Sequence, residues 1–279
     1  IKVVTGIRRC GKSTLFDLFI DYLKKMGVKD EKIIKINLED PDYNFVNYKD
    51  FYDFVNRKIT KDKKYYVFLD EVQTVPLFQK AVDGLYIKKN VDVYITGSNA
   101  YLLSGELATL LSGRYVEIKM LPLSFKEYLS NFDNKEKSRY EYFLDYMKIG
   151  GMPGNLSIIR DDVNRLDMYL EGIFTTVVYK DIMARNNISD KLLIESILKF
   201  IFDSIGSPIS TKRISDTLTS KGLSTSNHTV ENYISAFLDS YLIYKAERFD
   251  VKGKNLLVRD YKYYVVDQGL RSYLLGKRA

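Results

Sequence analysis

The chain has 279 residues, a net charge of +7, 46% apolar and 28% charged residues, and one cysteine. That length suits about two domains, and no apolar run nears the roughly 18 residues of a membrane span, which argues against a membrane protein. A single thiol, Cys10, excludes an internal disulfide and fits a reducing cytoplasm. The chain starts at Ile1 inside its first strand and is read as a fragment cut short at both ends, with no signal peptide.

Ile1–Val4 is a short, mostly β-branched run that suits a buried strand. Gly6–Ser13 follows as G-I-R-R-C-G-K-S, a fit to the phosphate-loop pattern G-x-x-x-x-G-K-[ST]. After it, Leu15, Phe16, Phe19, Ile20, Tyr22, Leu23 and Met26 recur at helical spacing. A strand turning into a helix turns backbone N–H groups toward an anion, and the helix N-terminus adds its dipole. Gly6 and Gly11 let the backbone approach a polyphosphate, across the intervening Ile7, Arg8, Arg9 and Cys10. Lys12 is placed to reach the β- and γ-phosphates of ATP, with Ser13 as an Mg²⁺ ligand and Thr14 beside it. Cys10 is read as a small loop residue, or as a thiol shielded by bound nucleotide.

Three more strands are expected at Ile33–Leu38, Tyr65–Leu69 and Val91–Thr96, and a fourth at Tyr115–Lys119, with helical stretches between. That alternation predicts a parallel α/β sheet whose ligands bind at the carboxyl ends of the strands. Asp70 and Glu71 fall at one such end, 58 and 59 residues after Lys12. Asp70 suits Mg²⁺, and Glu71 suits activation of an attacking water. Gly97-Ser98-Asn99 falls at another strand end. There Ser98 or Asn99 can bond a γ-phosphate or the water, although G-S-N is also good turn chemistry. Arg114 follows a helix-like stretch, Ala100–Ser112, and is either a charge-neutralising arginine or a residue favoured by a helix C-terminus.

G-I-R-R-C-G-K-S-T, F-L-D-E-V-Q, I-T-G-S-N-A, L-S-G-R and L-P-L-S-F-K-E-Y together resemble a prokaryotic group of AAA+-type P-loop ATPases. G-G-M-P-G at Gly150–Gly154 is similar to that group's lid-entry motif. Y-K-Y-Y-V-V-D-Q-G-L at Tyr261–Leu270 is similar to a signature of the domain of unknown function that usually follows this core. The resemblance implies Lys12, Ser13 and Thr14 at the phosphates and Mg²⁺, and Asp70 and Glu71 as metal ligand and catalytic acid. It implies Ser98 and Asn99 at a sensor position and Arg114 as an arginine finger, which in trans implies a homo-oligomer.

The remainder divides by pattern. Lys126–Asn187 is helical, with Phe125, Tyr128, Leu129, Tyr142, Phe143, Tyr146 and Met147 as core aromatics and aliphatics and Gly150–Gly154 as a hinge or turn. Tyr179–Ile182 is like the family but has no assignable chemistry. Helices are expected at Ile194–Ile205, ended by Gly206-Ser207-Pro208, at Thr211–Thr219 behind Ser210, and at His228–Ser240 behind Ser226 or Asn227. A hairpin is expected from Leu242–Phe249 and Leu256–Val266, so the pattern reads as a winged helix. From Thr211 onward there are twelve Lys/Arg and seven Asp/Glu. Such a surplus suits either nucleic acid or a lysine-rich solvated surface. Ser226, Asn227, His228, Lys252, Lys254 and Arg259 are the candidate contacts to double-stranded DNA, with a protein client as the other partner.

The expectation is therefore an α/β AAA+-like core at 1–124, a helical lid at 125–189 and a winged helix at 190–279. It binds ATP and Mg²⁺ and hydrolyses ATP to move the winged helix. A nucleotide-gated switch with little turnover and a DNA-binding module with an accessory ATPase remain alternatives.

Overall fold

The computed structural model describes residues 1–61, 63–100, 111, 113–132, 136–161, 164–247 and 261–276. They form two compact units, Ile1–Gly6 with Gly11–Met120, and Ile7–Cys10 with Leu121–Ala279.

The first unit is a five-stranded parallel sheet. In chain order its elements are β1 (Lys2–Thr5), α1 (Lys12–Lys25), β2 (Ile33–Asn37), α2 (Tyr48–Arg57), β3 (Tyr65–Asp70), α3 (Phe78–Tyr86), β4 (Val91–Gly97) and β5 (Val116–Lys119). The strands lie in the order β2-β3-β4-β1-β5, so the expected parallel sheet is present. Side chains alternate across it, as the two-residue period of a strand requires. Val3, Val67 and Leu69 join one core with Phe51 and Val55 of α2 and Ala81, Val82 and Leu85 of α3. Val4 and Phe68 join the other core with Phe16, Ile20 and Leu23 of α1. Covering both faces explains why β3 is continuously apolar up to its last residue. Leu38 lies one residue beyond β2, whereas β3 runs one residue further than expected, to Asp70.

The second unit holds α4 (Phe125–Leu129), α5 (Arg139–Ile149), α6 (Pro153–Asp161) and α7 (Asn164–Thr176), then a π-helical stretch, Val177–Met183. Ser124 with Glu127 and Ser138 with Glu141 form capping boxes that start α4 and α5. Tyr128 and Tyr142 are buried, and Phe125, Phe132 and Tyr146 pack their rings around them, whereas Phe143 and Met147, expected in the core, are exposed. After these come α8 (Lys191–Asp203), β6 (Pro208–Ile209), α9 (Thr211–Ser220), α10 (Asn227–Asp239), β7 (Ile243–Ala246), β8 (Tyr261–Val265) and α11 (Gln268–Leu275). The antiparallel sheet runs β6-β8-β7. This order is consistent with the winged-helix expectation, with two corrections. Pro208 does not only end a helix; it opens β6, an edge strand, where a missing N–H is tolerated. The sequence after β8 was not expected to be helical, yet Asp267 caps α11.

Gly150 and Gly151 pack directly on that cap. A Cβ on Gly151 would stand 2.1 Å from the Leu123 carbonyl oxygen, and one on Gly269 would stand 2.0 Å from that of Ile149. The hinge glycines are therefore a close backbone junction. Asp267 binds it, accepting from Gly151 N–H at 2.6 Å and from Leu270 N–H at 3.1 Å. Burial pushes its carboxyl up to about 6, against the opposing pull of bonds from Gly151, Leu270, Gly269 and Met152.

Candidate functional site

The loop after β1 takes left-handed backbone at Arg9 (φ 63°) and positive φ at Gly6 (148°) and Gly11 (103°). α1 starts at Lys12 with no side-chain cap on Gly11 and no acidic residue in its first turn. A helix start of this kind leaves N–H donors and a positive dipole end for an anion. Ile7 and Cys10 are fully buried, whereas Ser13 and Thr14 are exposed. Lys12 is buried, its Nζ 3.0 Å from the Gly6 carbonyl oxygen and 3.9 Å from Glu71 Oε1.

The acids arrive from β3. Because β4 lies between β1 and β3, the end of β3 is about two strand spacings, roughly 10 Å, from the end of β1. The end of β4 fills that interval. Thr96, fully buried, donates its hydroxyl to Asp70 Oδ1 and accepts the Glu71 N–H at 2.9 Å. Glu71 has left-handed backbone (φ 52°), a conformation that costs a non-glycine residue roughly 1 kcal/mol. The Thr96 bond holds that turn, and Gln73 Nε2 donates to Glu71 Oε2. Ser98 and Asn99 follow, both buried, and the Ser98 hydroxyl has no hydrogen-bond partner among the described residues.

Lys12, Asp70, Glu71, Ser98 and Asn99 thus gather at the carboxyl ends of β1, β3 and β4. Arg114 is placed otherwise. It follows Gly113, is half-exposed, and donates from Nη1 to Asp83 of α3 at 2.7 Å. Most of the expected helix Ala100–Ser112 lies outside the described residues.

Within the second unit, Arg8 Nε donates to Asp181 Oδ2 at 2.6 Å, and the Arg9 guanidinium lies 5.6 Å from the centre of the Tyr169 ring. Further along, Ser226 rather than Asn227 caps α10, accepting Thr229 N–H at 3.0 Å. Ser226, Asn227 and His228 are exposed. Lys252, Lys254 and Arg259 lie outside the described residues. Sequence reasoning missed Thr96 and Asp267 and left Asp181 without a role. The signals were a threonine just before G-S-N, a V-V-D-Q-G capping pattern, and a lone aspartate among apolar helix positions.

Among the described residues, no helix is long and apolar enough to cross a membrane. Residues 1–129 match the family described as an AAA domain, and residues 140–279 match a domain of unknown function (DUF8612). An uncharacterized protein of Haemophilus influenzae is 42% identical, the match covering the whole chain and 70% of that relative. One of Methanocaldococcus jannaschii is 30% identical, over 96% of the chain and 60% of that relative. The Walker-type ATPase of Pyrococcus abyssi superposes with a TM-score of 0.63 at 16% identity, covering 98% of this chain and 90% of that one, which shows a shared fold.

Proposed function

The chain belongs to the family that joins an AAA domain to this second domain, and on that premise we propose that it binds Mg·ATP and hydrolyses it. The observation carrying this reading is the triangle at the sheet end. Lys12 sits 3.9 Å from Glu71, while one threonine, Thr96, braces both Asp70 and Glu71. In this reading the amides of Gly6–Thr14 and Lys12 hold the phosphates. The hard oxygens of Ser13 and Asp70 suit Mg²⁺, which when bound would neutralise phosphate charge. Glu71 takes a proton from the attacking water, and the unpartnered Ser98 hydroxyl, next to Asn99, bonds that water or the γ-phosphate.

The domain division 1–124, 125–189 and 190–279 belongs to the same proposal, with nucleotide state moving the winged-helix part in a cytoplasmic setting. Arg114 acts as a finger toward a second copy only if it leaves Asp83. For the output we favour a protein client over DNA. The α10 helix exposes Ser226, Asn227 and His228 but carries Glu231 and Asp239 and no Lys or Arg, a poor match to phosphate.

The test is steady-state Mg·ATP hydrolysis with and without double-stranded DNA, against Glu71→Gln and Lys12→Ala. Turnover lost in Glu71→Gln with nucleotide binding retained, and binding lost in Lys12→Ala, supports the ATPase. Stimulation by DNA would reverse the preference for a protein client. Tight binding with turnover no higher than in Glu71→Gln would favour a nucleotide-gated switch.

A further inference from the structure

We propose that Asp181 is a positioning residue for the phosphate loop, holding the Arg8 guanidinium and so fixing the loop's tip. The inference rests on the reading that this loop binds nucleotide. The loop pattern asks nothing of its four intervening positions, so the motif does not explain why Arg8 is tethered. Its partner is costly. Asp181 is 1% exposed and lies on a helical stretch whose other buried residues are Val177, Val178 and Ile182. A carboxylate among apolar side chains is unfavourable unless paired, and replacing such a pair by apolar residues is often neutral or stabilising. Stability alone therefore gives no reason for an acid at this position.

What the acid does is hold arginine. Arg8 Nε bonds Oδ2 at 2.6 Å, and Arg185 Nη2 lies 3.6 Å from Oδ1. The stretch Val177–Met183 is π-helical, a rare winding found often at functional sites. The next loop residue is held by the same part of the unit. Arg9 has left-handed backbone, and its guanidinium stands over Tyr169 of α7. Tyr169 in turn has its hydroxyl against Gly154 of the Gly150–Gly154 motif, where a Cβ would come within 2.2 Å of it. Ile7–Cys10 belong to the second compact unit, as do Tyr169 and Asp181. Both loop arginines are thus fixed by side chains 160 and more positions away, and one of these, Asp181, lies in the family-like segment Tyr179–Ile182 that had no chemistry of its own.

Asp181→Asn keeps the size and removes the charge. Amide exchange across Gly6–Lys12, followed by mass spectrometry on nucleotide-free protein, should quicken at least about tenfold as local opening becomes easier. The Kd for a fluorescent ATP analogue should rise about five- to twentyfold, with kcat changing less than about threefold, because loop shape acts on binding before chemistry. Arg8→Gln should reproduce both changes, and the double variant should be no worse than either single, as two residues in one interaction require. Arg8→Gln also carries the test if Asp181→Asn does not fold. Unchanged exchange in the loop peptide, or additive effects in the double variant, would overturn the proposal, as would a loss of stability with exchange and Kd unmoved. If wild-type protein binds the analogue no better than Lys12→Ala, the ATPase reading fails. The exchange comparison then decides the positioning role alone.

Discussion

Asp70 and Asp267 are equally buried, at 4% exposure each, yet their surroundings differ in kind. Asp70 ends β3 and, among the described residues, receives one side-chain hydroxyl, that of Thr96. Asp267 starts α11 and receives backbone N–H bonds from Gly151, Met152, Gly269 and Leu270. A carboxylate offers about four lone-pair sites. At Asp267 the chain's own amides fill them, and the acid is part of the fold. At Asp70, among the described residues, most remain, beside a lysine-bearing loop, and in the proposed reading the acid serves a cation. Burial alone does not separate a structural acid from a chemical one; the identity of the donors does.

The comparison breaks most visibly if the two acids are exchanged in their roles. Asp70→Asn should lower Mg-dependent ATP turnover several hundredfold, about 3–4 kcal/mol of transition-state stabilisation. Its unfolding free energy should move by less than about 1 kcal/mol. Asp267→Ala should do the reverse. Four buried amides lose their acceptor, at about 1 kcal/mol each or more, so urea unfolding should show a loss of roughly 4 kcal/mol. Gly151→Ala, which would push a methyl to 2.1 Å from the Leu123 carbonyl oxygen, should cost a similar amount. Equal effects of Asp70→Asn and Asp267→Ala on either readout would dissolve the distinction.

The same contrast explains what was legible in the sequence. The patterns at Gly6–Ser13 and Asp70-Glu71 were legible because the phosphate chemistry proposed for them fixes residue types at short spacing. The sheet followed from β-branched runs separated by helical periodicity. Thr96 was not readable, because its role depends on a parallel register that sets it beside residues 25 and 26 positions earlier. Asp181 and Asp267 were harder still, with partners 173 and 116 positions away. The strand at Pro208 was hidden by proline's usual role as a breaker, although an edge strand tolerates it. Local rules therefore carried the proposed phosphate site, and long-range pairing carried the support around it.

The next largest expected effect is on pH. Burial raises Asp267 from an ordinary 3.8 to about 6 in the folded chain. Between those values the folded state binds the extra proton, so this group favours folding fully below about 4 and loses that contribution as pH rises through 6. The loss is roughly 3 kcal/mol. Urea unfolding of wild type and Asp267→Asn, compared at about pH 4.5 and 7.5, should therefore show the variant's deficit narrowing at the higher pH. A deficit that widens would mean the amide bonds outweigh burial and hold the carboxyl low.

Thr96 is the smallest and sharpest test, because it touches Asp70 and Glu71 without belonging to either strand end's charge. Thr96→Val keeps the shape and the β-branch but removes a donor to Asp70 and an acceptor for the Glu71 N–H. Two weakened bonds predict about 1–2 kcal/mol of stability. Because the lost acceptor holds the left-handed turn that aims Glu71, turnover should fall further than stability suggests, about tenfold, with nucleotide affinity nearly unchanged. Thr96→Ser, which restores the hydroxyl, should recover most of the rate. A tenfold fall in Thr96→Ser with Thr96→Val at the wild-type rate would place the effect in the methyl group's packing, and the hydroxyl's bonds to Asp70 and Glu71 would then carry no part of the rate.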